Sequence, residues 1–249
     1  MEDKNMKKQS QKIQFDFDAV NQWIKLPYTQ NLIEKYKPAC IFIGGSHLTP
    51  FVNEESDCDI IIATKLPNTT HRIVGYYTEY FEINGVKLHW YCESLDGWKV
   101  AGSVGYAAGR CKFYGLQSQH IVYVDPDYQE LVDFYLSQKK RIALVGLYRT
   151  VLENDQWWQP WLFNGGGKIP YKGLYCVFWV ARELGLLSVE DQLIWKIKNK
   201  HGIVGEEISV QCRELFCQLR QKLQQKSVSI TQINLELLQQ FENIMAKHE

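Results

Sequence analysis

Residues 41–64 read IFIGGSHLTPFVNEESDCDIIIAT: a Gly-Gly-Ser stop closes one apolar run, and an Asp-x-Asp pair stands at the mouth of the next. Both runs are short, apolar and β-branched, the pattern of strands buried in a sheet. Carboxylates at the start of such a strand are costly to cover unless water, a hydrogen-bond donor or a cation meets them. A chain built this way has to bring the two strand ends to a polar or ionic site.

Each residue type in the stretch has a physical task. Gly44 and Gly45 let the backbone turn with positive φ and let a phosphate approach its N–H groups. Ser46 and the N-terminus of a short following helix would add donors. Asp57 and Asp59, two apart on a strand, leave by the same face. They offer the hard oxygen ligands taken by Mg²⁺, or Mn²⁺ in its place, beside substrate phosphates and water. The stretch reads as a metal and nucleotide site.

The rest of the chain sets the frame. Residues 1–12 read as a frayed polar tail, and 17–36 as helix interrupted around Pro27. ACIFIGG and CDIIIAT are strands, and YYTEYFEI and VKLHWYCESL flank Asn84-Gly85, a strong hairpin signal. QHIVYVD is a fifth candidate strand. Helical spacing then takes over, in 126–153, 170–185, 206–226 and about 231–247. The residues therefore divide into an α/β part, 13–125, and a helical part, 126–249.

Composition narrows the function classes. Lys plus Arg equals Asp plus Glu at 28 each, which argues against a module that coats nucleic acid through bulk charge. With 45% hydrophobic residues, a packed core is expected. Seven cysteines, odd in number and without a C-x-x-C, read as buried thiols of a reducing compartment. MEDKNMKKQSQK carries no apolar stretch of a signal peptide, and no run approaches the ~20 apolar residues of a membrane span. A soluble, cytoplasmic protein with no membrane association is expected.

Gly45-Ser46-His47 followed by Glu55-Ser56-Asp57-Cys58-Asp59 resembles the signature of the DNA polymerase β-like nucleotidyltransferase superfamily. It is similar to the "GSH … ESDxD" branch, which includes RNA-repair-associated members. The resemblance covers about residues 40–65, with a weaker echo in KIPYKGLYCVFWVAREL, 168–184. It implies an α+β fold, with a small mixed β-sheet nucleotidyltransferase domain followed by a helical domain. It also implies transfer of a nucleoside monophosphate from a nucleoside triphosphate to an acceptor hydroxyl, with Mg²⁺ or Mn²⁺ as cofactor. Gly45 and Ser46 would hold the triphosphate, and Asp57 and Asp59 the metal. The family's third carboxylate, on a neighbouring strand, has no aspartate here: the slots hold Lys87 or His89, Glu93 could substitute from the strand's end, and His89 could act as base.

Several weaker signals stay open. FNGGGKIPYK could deliver Lys168 or Lys172 to phosphates, or could simply open a helix. Trp157, Trp158 and Trp161 could stack bases or fill a core. The basic run QKKR, 138–141, reads as a solvated helix face, and no zinc set is complete around His89 and Cys92. RNA 3′ ends are the favoured acceptor, ahead of a protein side chain or small molecule. The competing class is a catalytically inactive nucleotide sensor or partner-binding protein on the same fold, including a toxin–antitoxin-type component. Oligomeric state is not legible.

Overall fold

The sheet is organised by the Asn84-Gly85 turn and by the two short apolar strands that precede it. The computed structural model describes residues 17–53, 56–65, 80–95, 112–153, 158, 161–162, 171–199 and 206–248. Helix α1 (Phe17–Lys25) carries Asp18 in its first turn and Lys25 in its last, matching the helix dipole. Pro27 opens α2 (Pro27–Tyr36), where its missing N–H is no loss. Lys37 ends α2 at φ 45°, its N–H bonded to the Ile33 carbonyl. Pro38 then starts β1 (Pro38–Ile43).

After β1 come a 3-10 turn (Gly45–Leu48) and β2 (Cys58–Thr64). The hairpin of β3 (Tyr80–Ile83) and β4 (Val86–Ser94) turns at Asn84 and Gly85, with φ 53° and 78°. Positive φ at both centres is what a two-residue hairpin turn requires. β5 (Ile121–Val124) completes a five-stranded sheet in the order β3-β4-β2-β1-β5. β2 and β4 run parallel and the other neighbours antiparallel, so the sheet is mixed.

The sheet is covered on both faces. Ile41, Ile43, Ile60, Ile62, Leu88 and Trp90 face Val20, Trp23, Leu32 and Tyr36 of the two N-terminal helices. On the other face Phe42, Ile61 and Ala63 join a core that continues into the helical half. That half contains α3 (Gln129–Tyr148), α4 (Tyr171–Glu183), α5 (Asp191–Asn199), α6 (Glu206–Gln225) and α7 (Ser227–Met245). The fold class is α+β, a small mixed sheet followed by helices. The change from strands to helices falls between Val124 and Gln129, and the apolar core runs across it.

Two helix assignments differ from expectation. The last helix begins at Ser227, with only Lys226 between it and the end of α6, and Leu223 and Ile230 are buried on either side of the corner. Helix α5 was not anticipated. Its apolar set, Leu193, Ile194 and Ile197, is a single stripe of nine residues, too short for periodicity to stand out.

No helix among the described residues is long and apolar enough to cross a membrane. The described cysteines form no disulfide with one another. Cys40, Cys58, Cys92, Cys176 and Cys212 are buried.

Candidate metal and nucleotide site

β1 and β2 are neighbours, so the turn after β1 lies beside the start of β2. The Gly44 N–H donates to the Asp59 carbonyl at 2.8 Å and fixes the two strand ends together. Gly45 then turns at φ 63°, and a Cβ there would lie 1.7 Å from Oδ2 of Asp59. The carboxylate occupies the space a side chain would take, so only glycine fits beside it. Ser46 follows in the 3-10 turn, its carbonyl accepting from the Thr49 N–H at 3.0 Å and the Thr49 hydroxyl at 2.8 Å.

The third member comes from the parallel strand. Asp59 pairs in register with His89 of β4, and His89 Nδ1 lies 3.2 Å from Asp59 Oδ1. Both side chains are half-buried. Ligand atoms of Asp57, Asp59 and His89 all lie within 4.8 Å of one another. Two carboxylate oxygens and an imidazole nitrogen make a donor set that fits a divalent cation.

The other candidates fall elsewhere. Glu93 shares the face of His89 but pairs with Ala63, four residues along β4, or about 13 Å at ~3.3 Å per residue. There, across Ala63, its charge reaches Cys40, whose thiol is pushed up to about 12 by burial and then by Glu93. The structure therefore does not bring Glu93 to the aspartates. Lys87, the other residue in the third-acid slot, is exposed and pairs with Glu82 of β3. Lys172 lies in the first turn of α4, and Lys168 lies outside the described residues.

Three residues to which the sequence reading gave no role, Lys198, Tyr175 and His47, lie around the acids. Lys198, near the end of α5, places Nζ 3.2 Å from the Ser56 hydroxyl, next to Asp57. Its neighbour Asn199 accepts from the Asn53 amide at 3.2 Å, so the end of α5 is tied to the loop that carries Asp57. Lys198 also lies over the ring of Tyr175 from α4, 5.6 Å from its centroid. The Tyr175 phenol is pushed up by burial, by Cys176 beside it and by Asp59 and Asp57, and stays protonated. His47 is pushed down to about 4, chiefly by burial and then by Lys198, against a hydrogen bond to the Asp57 backbone that favours its charged form. A neutral His47 thus links the glycine turn to the residue that presents the first carboxylate.

Cys58, between the two aspartates, is not part of the group. It points into the core under α1 and α2, and burial followed by the charges of Asp59 and Asp57 pushes its thiol up.

The tryptophan and basic segments of the second half have structural work. Trp158 and Trp161 are buried against Phe216, with ring centroids at 4.7 and 5.7 Å, and the Trp158 indole donates to the Thr150 carbonyl at 2.6 Å. Trp157 lies outside the described residues. In QKKR, Lys139 bonds the Leu116 carbonyl at 3.2 Å and Arg141 pairs with Glu236, so the run is partly engaged within the protein.

No protein-family model matches the chain, and no curated protein matches its sequence. Among solved structures, a nucleotidyltransferase-like protein from Exiguobacterium sibiricum is similar over 89% of this chain and 80% of its own, at 12% identity and a TM-score of 0.34. At that distance the likeness assigns no residue a role.

Proposed function

We propose that the protein is a divalent-metal-dependent nucleotidyltransferase that moves a nucleoside monophosphate from a nucleoside triphosphate to an acceptor hydroxyl. One observation carries this reading: Asp57, Asp59 and His89 converge within 4.8 Å beside the Gly44-Gly45-Ser46 turn. Mg²⁺ or Mn²⁺ bound there would supply charge neutralisation on the triphosphate and a more acidic acceptor hydroxyl. The chain's own residues do the rest. Asp57 and Asp59 would hold the ion at the strand mouth. The Gly44 N–H is engaged with Asp59, so the phosphate-facing role falls to Gly45 and Ser46. Lys198 brings a positive charge to the same edge. The acceptor oxygen attacks the α-phosphorus in line, forming the new P–O bond as the bond to pyrophosphate breaks. The acceptor's proton passes to solvent or to a neighbouring base.

The acceptor we propose is an RNA 3′ hydroxyl, on the resemblance of the Gly45-to-Asp59 motif to RNA-repair-associated relatives. The buried Trp158 and Trp161 lend it no stacking surface. A second reading, nucleotide binding without turnover, is favoured by the imidazole standing where the family resemblance expects a carboxylate.

The test is incubation with each α-labelled nucleoside triphosphate, Mg²⁺ or Mn²⁺, and a mixture of RNA, protein and small-molecule acceptors. An Asp57→Ala, Asp59→Ala variant runs beside the parent. Label transferred by the parent alone supports the enzyme and identifies the acceptor class. Metal-dependent binding without transfer supports the sensor. Equal transfer by parent and variant overturns the proposed site.

A further inference from the structure

We infer that His89 is a direct nitrogen ligand, and that it turns the site away from Mg²⁺ and towards first-row ions that accept imidazole, of which Mn²⁺ is the hardest and suits the two carboxylates. This deepens the metal-dependent reading above and rests on it.

The first ground is register. Seven consecutive residue pairs, Cys58↔Leu88 to Thr64↔Ser94, align β2 with β4 and hold His89 opposite Asp59. A slip of one residue would turn Leu88 or Trp90, both buried under the N-terminal helices, to the other face. The imidazole is thus held where it is by the packing of its neighbours.

Distance is the second ground. Two ligands bonded at about 2.1 Å to one octahedral ion, on adjacent corners, lie about 3.0 Å apart. His89 Nδ1 and Asp59 Oδ1 are 3.2 Å apart, a hydrogen bond in the ion-free protein and close to that edge once an ion displaces the proton, and Asp57 closes the group within 4.8 Å.

Donor chemistry is the third. Mg²⁺ takes oxygen and releases its waters reluctantly, so an imidazole is a poor exchange for one of them. Mn²⁺ and the later first-row ions accept imidazole, with affinity rising along the series. Two carboxylates keep the set hard enough for Mn²⁺, and Cys58 points into the opposite core, so among the described residues no thiolate joins the group to favour a softer ion. Among the described residues no third carboxylate competes for the position, because Glu93 lies four residues farther along β4.

The experiment uses the full chain with Mn²⁺ and inorganic triphosphate, observed by pulsed electron paramagnetic resonance and by competition with Mg²⁺. Protein carrying ¹⁵N-histidine is compared with natural-abundance protein, so the readout does not depend on a variant folding. The expected result is nitrogen modulation of the Mn²⁺ echo that changes with the isotope and disappears in His89→Asp. The preference for Mn²⁺ over Mg²⁺ should also fall about tenfold in that variant. Mn²⁺ bound with no isotope-sensitive modulation, or an unchanged preference in His89→Asp, overturns the inference and leaves the metal-dependent reading standing. Mn²⁺ bound no better by the parent than by Asp57→Ala, Asp59→Ala overturns both.

Discussion

Gly45 and Asp59 meet so closely that a Cβ on the glycine would lie 1.7 Å from the carboxylate Oδ2. Gly185 also has positive φ, 69° against 63°, yet a Cβ there would have nothing within 4 Å. The pair separates backbone strain from displacement of the acid. Gly185→Ala should cost about 1 kcal/mol of stability and leave transfer unchanged. Gly45→Ala should carry the same strain and also lose transfer by roughly a hundredfold or more, because a ligand shifted by about 1 Å misplaces the reacting groups. Thermal unfolding and initial rates on both variants check this. Equal rates in the two would mean that the close approach does not position Asp59.

Lys198 is placed to meet the negative charge of a triphosphate, since its ammonium lies 3.2 Å from the hydroxyl of the residue before Asp57. Lys198→Gln keeps length and polarity and removes the charge. A lost charge-assisted hydrogen bond of about 1.5–3 kcal/mol predicts a KM for nucleoside triphosphate raised about tenfold or more, with kcat changed much less. Steady-state kinetics decide it, and a fall in kcat alone would place Lys198 outside ground-state binding.

Trp158 belongs to the core and not to a binding surface: it is 3% exposed, packed on Phe216 and bonded to the Thr150 carbonyl. Trp158→Ala should destabilise by about 3–5 kcal/mol. Trp158→Phe, which keeps most of the volume, should cost less. Denaturant titration measures both. A stable Trp158→Ala variant with weakened RNA binding would contradict the assignment.

His120, which is not among the candidate metal ligands, gives the protein a pH response. Its Nδ1 accepts the Gln117 N–H at 3.0 Å, which requires the neutral ring, and burial followed by the Lys139 charge lowers its pKa below 6.5. The unfolded chain therefore takes up this proton first as the pH falls, so His120 stabilises the fold above 6.5 and that contribution is lost towards the lower folded value. The hydrogen bond at stake is worth about 1 kcal/mol. In parallel unfolding series at pH 7.5 to 5, as ~half-unit steps, His120→Asn should show a shallower acid loss than the parent. Coincident slopes would assign the loss to other groups.

Local signals in the sequence located most elements because one chemical reason governed each. Asn84-Gly85 marks its hairpin through positive φ, and Pro27 and Pro38 punctuate α2 and β1 through a missing N–H. The closeness of Gly45, Asp57 and Asp59 was legible because the glycine stop and the Asp-x-Asp pair stand at the ends of two successive apolar strands, and the structure sets them side by side. What was not legible depends on pairing between distant segments. Nothing local to VKLHWYCES says that β4 runs parallel to β2, and that register alone brings His89 to Asp59 and sends Glu93 to the far end. Lys198 was missed for a related reason. Its helix is short, and its value lies in a contact with Ser56 that spans 142 residues of chain. The signal available was the Leu193, Ile194, Ile197 stripe after Ser188 and Asp191, a weak N-terminal pattern.

β1 is buried at all six positions and hydrogen-bonded along both edges, to β2 and to β5. Such a strand has no partial way to open: freeing its end exposes two apolar faces and breaks two ladders at once. Its amides, and the Gly44 N–H that extends the ladder to Asp59, should exchange with solvent only through events close to global unfolding. The Gly44 end of the glycine turn is therefore anchored as durably as the strand itself.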